Sequence, residues 1–211
     1  MVSPTRTDSL YEQLQPLTTV AKSRFVDYFT GDALGSWSEL TVYGSPTFLM
    51  DDSVNGGFKI TYTTAGHQGV ICFNDKRQFS KTGSVIIMLM KRATSNCIAE
   101  CGFDYDPSAN VSHYSSYWRN SGAESKTKLC NDGNGSSVTS TDSTTNVHTD
   151  FALGRIENSA SSAKLFENGL LTATSTSDLS TKDFQPFFSN VCTPSSATTV
   201  CHISYLEAYN T

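Results

Sequence analysis

The stretch Gly83–Asp106, GSVIIMLMKRATSNCIAECGFDYD, contains two consecutive runs that are typical of β-strands. The first, Val85 to Lys91, is almost entirely apolar and contains β-branched residues, and the second, Cys97 to Tyr105, has apolar residues at alternate positions. A strand that is apolar on both faces needs cover on both sides, as an inner strand of a two-sheet sandwich has. We therefore predict a β-sandwich in which these two runs form a central hairpin.

The sequence around this stretch, from Arg24 onward, alternates between short strand-like runs and turns. The strongest turn signal is Asn168-Gly169, which separates two extended runs and predicts a tight β-hairpin. The segment 134–149 consists largely of Ser, Thr, Asn and Asp, and we predict that it is an exposed loop. Many short strands at turn-punctuated spacing predict an all-β fold, an antiparallel two-sheet jelly-roll β-sandwich.

The N-terminal segment 1–23 differs from the rest because it carries the one helix signal. Ser9 and Glu12 fit a capping box, and Pro16 ends the run, so a short helix is predicted over Thr7–Gln15. A helix of about two turns is marginal alone in water, so its leucine face should dock on a partner surface. That surface is either the chain's own sandwich, residues 24–211, or a neighbouring subunit.

Composition excludes several classes of function. Only 17% of the residues are charged and the net charge is −5, with Lys and Arg scattered along the chain. This distribution argues against a nucleic-acid partner. No apolar run reaches the roughly 18 residues that span a membrane, and the first residues lack the pattern of a signal peptide.

The six cysteines contain no Cys-x-x-Cys pair, which argues against a zinc or thioredoxin-like site. Cys192 and Cys201 bracket a turn-rich segment and are the candidate disulfide. The alternative is that the cysteines are buried free thiols acting as small apolar residues. Disulfides without an export signal would suit a virion component that works outside the cell.

The order of several segments resembles a known family. They are RFVDYFTGDALGSW (24–37), VNGGFKITY (54–62), the central Gly83–Asp106 stretch, LFENGLLTATS (165–175), a Phe-Gln-Pro-Phe segment and ISYLEAYN (203–210). Together they resemble a concanavalin A-like (laminin-G-like) jelly roll over roughly Phe25 to Thr211. The chain is also similar to modules of this kind attached to phage or other viral structural proteins.

The resemblance raises the question of catalysis, because glycoside hydrolases of this superfamily carry Glu-x-Asp-x-x-Glu on one strand. Here Glu100, Gly102, Asp104 and Asp106 have the same parity and would share a strand face. Gly102 stands where the central carboxylate should be, which favours a solvated strand face over a catalytic one. If the chain is instead a hydrolase or lyase, Glu100 and Tyr117 are the residues we expect activity to require.

Ligand-binding candidates follow from residue type. Tyr114, Tyr117, Trp118 and Arg119 combine flat rings with a hydrogen-bond donor and are predicted to bind a glycan, with core packing as the alternative for Trp118. Asp104 and Asp106 offer oxygen ligands for Ca²⁺, the one cofactor the sequence allows, although turn formation also explains them.

The sequence thus favours a non-enzymatic module of a virion or extracellular surface appendage. We expect it to form a homo-oligomer, to assemble with other virion proteins and to bind surface glycans, without nucleic acid or membrane as partners. The alternative is a polysaccharide hydrolase or lyase of the concanavalin A-like superfamily.

Overall fold

The computed structural model describes residues 24–30, 34–50, 57–63, 68–73, 78–107, 114–192 and 198–211. Within these ranges the regular secondary structure is entirely β. The helix predicted over Thr7–Gln15 lies outside the described residues. Among the described residues, no helix is long and apolar enough to cross a membrane.

Fifteen strands occur in these ranges, and most are short. The first seven are β1 (Arg24–Asp27), β2 (Ser38–Tyr43), β3 (Thr47–Met50), β4 (Phe58–Tyr62), β5 (Gln68–Cys72), β6 (Ser84–Arg92) and β7 (Cys97–Asp104). The other eight are β8 (Ser115–Ser121), β9 (Lys126–Asn131), β10 (Thr139–Asn146), β11 (Ala152–Asn158), β12 (Ala163–Glu167), β13 (Leu170–Ser175), β14 (Gln185–Cys192) and β15 (Thr199–Asn210).

The strands form two antiparallel sheets, which confirms the predicted sandwich. The eight-stranded sheet has the order β13-β12-β11-β6-β15-β4-β3, with β1 also paired to β15. The seven-stranded sheet has the order β10-β9-β8-β7-β14-β5-β2. Neighbouring strands are in several cases distant in sequence, as in a jelly roll.

The prediction of a central hairpin at Gly83–Asp106 is wrong, although both of its strands exist. β6 pairs with β11 and β15 in one sheet, whereas β7 pairs with β8 and β14 in the other. The link between them is tied to β15, because Ala93 N donates to Val200 O and Val200 N donates to Thr94 Oγ1. Each strand is thus an inner strand with a neighbour on both sides, and the link crosses from sheet to sheet.

The core lies between the sheets and is built from alternate residues of each strand. Trp118 of β8 is fully buried in it, and its ring lies against Gly154 of β11. A Cβ atom on Gly154 would lie 2.4 Å from Trp118 Cε3, so the glycine makes room for the indole. Trp37 also belongs to the core, since it is 6% exposed and donates from Nε1 to Asp27 Oδ2.

The hairpin predicted at Asn168-Gly169 is confirmed. β12 and β13 pair directly, and both turn residues have positive φ, 49° at Asn168 and 86° at Gly169, as a type I′ turn requires. By contrast, part of the predicted loop 134–149 is β10, which pairs with β9. An edge strand that alternates between half-buried and exposed residues needs few apolar side chains, so its composition resembled that of a loop.

A buried polar network joins the two sheets near the β12–β13 hairpin. Glu167 is 2% exposed and accepts hydrogen bonds from Thr127 Oγ1 at 2.8 Å and Thr172 Oγ1 at 2.6 Å. His148 Nε2 lies 3.0 Å from the same carboxylate, and Ser143 Oγ lies 2.5 Å from Thr127 Oγ1. Because Thr127 belongs to one sheet and Thr172 to the other, Glu167 connects both layers.

The predicted disulfide between Cys192 and Cys201 is not present, because Cys201 is a free thiol. The two residues belong to strands of different sheets, with Cys192 opposite Cys97 on β7 and Cys201 opposite Ile60 on β4. Cys201 Sγ instead lies 3.7 Å from Ser189 O in the core. Burial raises the pKa of the Cys201 thiol well above its usual range, as expected of a structural cysteine.

Candidate active site

The outer face of the seven-stranded sheet, the face that points away from the other sheet, carries the candidate site. On β7 the side chains of Cys97, Ala99, Cys101 and Phe103 enter the core. Alternation along a strand therefore puts Glu100, Gly102 and Asp104 on the outer face, as predicted from their parity. Residues directly opposite one another on paired strands point to the same side. Each of these three positions therefore defines a row, meaning the set of residues that lie opposite one another on β14, β7, β8 and β9.

The first row contains a partly buried ion pair. Ser189, Glu100, Arg119 and Lys128 lie opposite one another on β14, β7, β8 and β9. Arg119 Nε donates to Glu100 Oε1 at 2.9 Å, and Ser189 Oγ donates to Glu100 Oε2 at 3.2 Å. Burial lowers the pKa of Arg119, but the charge of Glu100 and the nearby Tyr117 raise it by more, so the guanidinium stays charged.

The second row is largely apolar and has Gly102 at its centre. Phe187, Gly102, Tyr117 and Cys130 lie opposite one another, and none of the three side chains is more than 4% exposed. Tyr117 links this row to the first, since Arg119 Nη2 donates to Tyr117 Oη at 3.2 Å. A Cβ atom on Gly102 would lie 2.5 Å from Tyr117 Cα, so this backbone approach leaves no space for the central carboxylate of the hydrolase motif.

The third row places Asp104 between Gln185 of β14 and Ser115 of β8. Asp132 continues it, because Ser115 and Asp132 exchange both backbone hydrogen bonds. Burial raises the pKa of Asp104 well above its usual range; the N–H of Asp106 offsets part of this rise, and the carboxylates of Asp106, Glu100 and Asp132 add to it. Glu100 and Asp104 are four residues apart, so their Cα atoms are separated by about 13 Å.

The four predicted glycan-binding residues do not form one surface. Tyr117 and Arg119 lie on the outer face, but Trp118 between them points into the core and cannot stack on a sugar. Tyr114, half-buried, precedes β8 with a positive φ of 58° and contacts the ring of Tyr105 edge-on. Of this set, Tyr117 and Arg119 are brought together with Glu100.

The predicted Ca²⁺ ligands Asp104 and Asp106 are joined by a hydrogen bond within a turn. Asp106 N donates to Asp104 Oδ1 at 2.7 Å, which is the turn geometry that the sequence offered as the alternative. Among the described residues, no group of three or more His, Cys, Asp or Glu side chains is placed to hold a metal ion.

Comparison with known proteins gives a likeness of structure but not of sequence. No family model matches the chain, and no curated protein matches it. The apo Crh5 transglycosylase superposes with a TM-score of 0.64 at 13% identity, covering 89% of this chain and 84% of that one. The Bacillus licheniformis beta-glucanase gives 0.63 at 10% identity, covering 90% and 98%.

A third solved structure, also a glucanase, superposes to a similar extent. A prokaryotic beta-1,3-1,4-glucanase (lichenase) derived from a mouse hindgut metagenome has a TM-score of 0.64 at 10% identity, covering 89% of this chain and 99% of that one. This chain has the concanavalin A-like jelly-roll fold. At these identities the likeness establishes the fold alone.

The comparison also corrects the functional interpretation of the sequence. A non-enzymatic virion module was favoured, but the solved structures named above are glucanases and a transglycosylase. None of these three neighbours is named as a viral structural protein, so the favoured interpretation is contradicted.

Sequence reasoning found Glu100 and Tyr117 but not the contacts that join them. Arg119 was assigned to a glycan and Ser189 to no role, yet both hydrogen-bond to Glu100. Asp132 was also missed, because only the pairing of β8 with the end of β9 places it beside Ser115. Strand parity was the available signal, and it gives no information on which strands are neighbours.

Proposed function

We propose that this chain is a polysaccharide hydrolase acting on a β-linked glucan at the outer face of the seven-stranded sheet. The observation that carries the proposal is the Glu100–Arg119–Tyr117 cluster, in which one guanidinium binds both the carboxylate and the phenol. The names of the structural neighbours support the substrate class. The strand with the parity of the hydrolase carboxylate motif, β7, also lies in this sheet.

The two reacting groups have separate roles. Glu100 takes a proton from the attacking water as the water oxygen bonds to the anomeric carbon. The glycosidic C–O bond breaks, and the leaving oxygen takes a proton from the Tyr117 hydroxyl. Transfer of the proton from Glu100 back to Tyr117 restores both groups, so the net change is addition of one water molecule.

Arg119 positions these groups. Its side chain is 27% exposed, whereas the Glu100 side chain is 8% exposed, so a sugar reaches the carboxylate past the guanidinium. The mechanism departs from the two-carboxylate pattern of most glycosidases. Asp104 is not given a proton-transfer role, because its carboxylate accepts from the backbone N–H of Asp106 and has no hydrogen bond to the Glu100–Arg119–Tyr117 cluster.

The test is release of reducing ends from β-1,3-glucan and mixed-linkage β-1,3-1,4-glucan. We expect the wild-type chain to be active, and Glu100→Gln and Tyr117→Phe each to lower kcat by about a hundredfold, since each removes one proton-transfer group. Asp142→Asn is the matched control, because that carboxylate is exposed on the edge strand β10. It should retain wild-type activity.

Two results would contradict the proposal. One is a folded wild-type chain that releases no reducing ends from either glucan. The other is an E100Q protein as active as the wild type, which would show that hydrolysis occurs elsewhere on the molecule.

A further inference from the structure

The third row of the outer face contains several buried oxygen atoms without a hydrogen-bond partner among the described residues. Asp132 and Ser115 are completely buried, Gln185 is 1% exposed and Asp104 is 5% exposed. Ser115 Oγ, Asp132 Oδ2 and Gln185 Oε1 have no hydrogen-bond partner among the residues that the structure describes. Leaving such groups unsatisfied is costly, so native proteins pair them or fill the space between them.

Three of these side chains are held in place by backbone groups. Asp104 Oδ1 accepts from Asp106 N at 2.7 Å, and Asp132 Oδ1 accepts from Gly135 N at 2.7 Å and Asn134 N at 3.0 Å. Gln185 donates from Nε2 to Tyr105 O at 3.3 Å. The backbone thus fixes one polar atom of each side chain, and Asp132 Oδ2 and Gln185 Oε1 are left over.

The spacing of the row suits one ion. Asp104 and Asp132 are two strands apart, so their Cα atoms are about 10 Å apart. Since each carboxyl carbon lies roughly 2.5 Å from its Cα, the two carboxyl groups can approach to about 5 Å across Ser115. Two oxygens on opposite sides of a Ca²⁺ ion are also about 5 Å apart, because each Ca–O distance is about 2.3–2.6 Å.

The negative charge of Asp104 and Asp132 also favours a bound cation. Within the described residues neither Asp104 nor Asp132 forms an ion pair. The two basic side chains of the first two rows are paired elsewhere, Arg119 with Glu100 and Lys128 with Glu124 and Asp142. Buried carboxylates without a cationic partner are stabilised by a metal ion or by protonation. Ser115, between the two aspartates, adds a neutral oxygen ligand.

We propose that Asp104, Ser115 and Asp132 bind a hard divalent cation of the Ca²⁺ class, with Gln185 Oε1 at the edge of the site. The site shares Asp104 with the pair predicted from the sequence but replaces Asp106 with Asp132. Ca²⁺ is preferred to Mg²⁺ because Ca²⁺ accepts irregular coordination by carboxylate, hydroxyl and amide oxygens, whereas Mg²⁺ requires a near-ideal octahedron. The site is independent of the proposed hydrolysis, which uses Glu100 and Tyr117.

The experiment is titration of the EDTA-dialysed chain with CaCl₂. Binding is measured by isothermal titration calorimetry, and stability is measured as the midpoint of thermal unfolding. We expect one Ca²⁺ to bind and the midpoint to rise. Asp132→Asn and Ser115→Ala should each weaken Ca²⁺ binding by at least about tenfold, since each changes a direct ligand. Asp142→Asn and Glu100→Gln should bind Ca²⁺ as the wild type does.

Asp132→Asn and Ser115→Ala are both tested, so that the result does not depend on one variant that fails to fold. Asp132→Asn preserves the shape and the hydrogen bonds to the backbone, and far-UV circular dichroism checks that it remains folded. The proposal is overturned if the wild-type chain shows neither calorimetric binding nor a midpoint shift at millimolar CaCl₂. It is equally overturned if folded D132N and S115A both retain wild-type affinity, which would place the ion elsewhere.

Discussion

Replacing Glu167 by alanine is expected to lower the free energy of unfolding by about 3–5 kcal/mol, the range for removing one partner of a buried charged cluster. The substitution leaves the hydroxyls of Thr127 and Thr172 and the His148 ring without their shared acceptor. It also opens a cavity where the two sheets meet. Urea denaturation at pH 7 measures the effect.

Glu157→Ala is the matched control, because that glutamate is on the adjacent strand β11, is about 38% exposed and pairs with Arg155 at the surface. We expect it to cost less than about 0.5 kcal/mol. Equal losses in the two variants would contradict the view that Glu167 connects the sheets.

The effect of Glu167 depends on pH. Burial raises the pKa of Glu167, but hydrogen bonds from His148, Thr172, Thr127 and Ser143 lower it by more, so its pKa is below the usual value. A carboxylate with a depressed folded-state pKa stabilises the fold above its unfolded pKa of roughly 4.3 and loses this contribution as the pH falls. The stability difference between wild type and Glu167→Gln should therefore shrink below about pH 4.

Replacing Gly102 by alanine is the second large expected effect. The new Cβ atom would lie 2.5 Å from Ser116 O, 2.5 Å from Tyr117 Cα and 2.6 Å from Tyr117 Cβ. Two of these three atoms are backbone atoms of the paired strand β8, which cannot move without breaking the sheet ladder. We expect a loss of about 3 kcal/mol, at the upper end for overpacking, measured by urea denaturation.

Gly169→Ala separates this clash from the general cost of removing a glycine. A Cβ atom on Gly169 would have no other atom within 4 Å, but the φ of 86° at this position strains any other residue. We expect about 1 kcal/mol there, from backbone strain alone. A Gly102→Ala protein no less stable than Gly169→Ala would show that β7 and β8 can separate, and Gly102→Asp would then become a way to restore the missing carboxylate.

The fold was predictable where a signal is local. Asn168-Gly169 needs positive φ whatever surrounds it, and the alternation along Cys97–Tyr105 follows from the strand itself. The pairing of β6 with β15 was not predictable, because it joins residues more than a hundred positions apart. A short link such as Ala93–Asn96 is compatible with a hairpin or a crossing between sheets, and the sequence alone favoured the hairpin.

The candidate site was predictable only in part, for the same reason. Parity placed Glu100 and Asp104 on one face, but the partner of each is on another strand: Arg119 for Glu100 and Ser115 for Asp104. For Trp118 the sequence left surface and core almost equally favoured. The missing side chain of Gly154 provides the room in the core that the indole ring occupies. The predicted homo-oligomer and the predicted location outside the cell stay predictions.

The position of β15 in the eight-stranded sheet constrains how the chain folds during synthesis. β15 follows every other described strand in sequence, yet it pairs with β1, β4 and β6 and separates the two halves of its sheet. While β15 is still in the ribosome, β6 and β4 each lack one neighbour and β1 lacks its partner, so three strand edges remain exposed. This sheet is therefore expected to close only after β15 has left the ribosome and to fold slowly, and these open edges are where a stalled chain would aggregate.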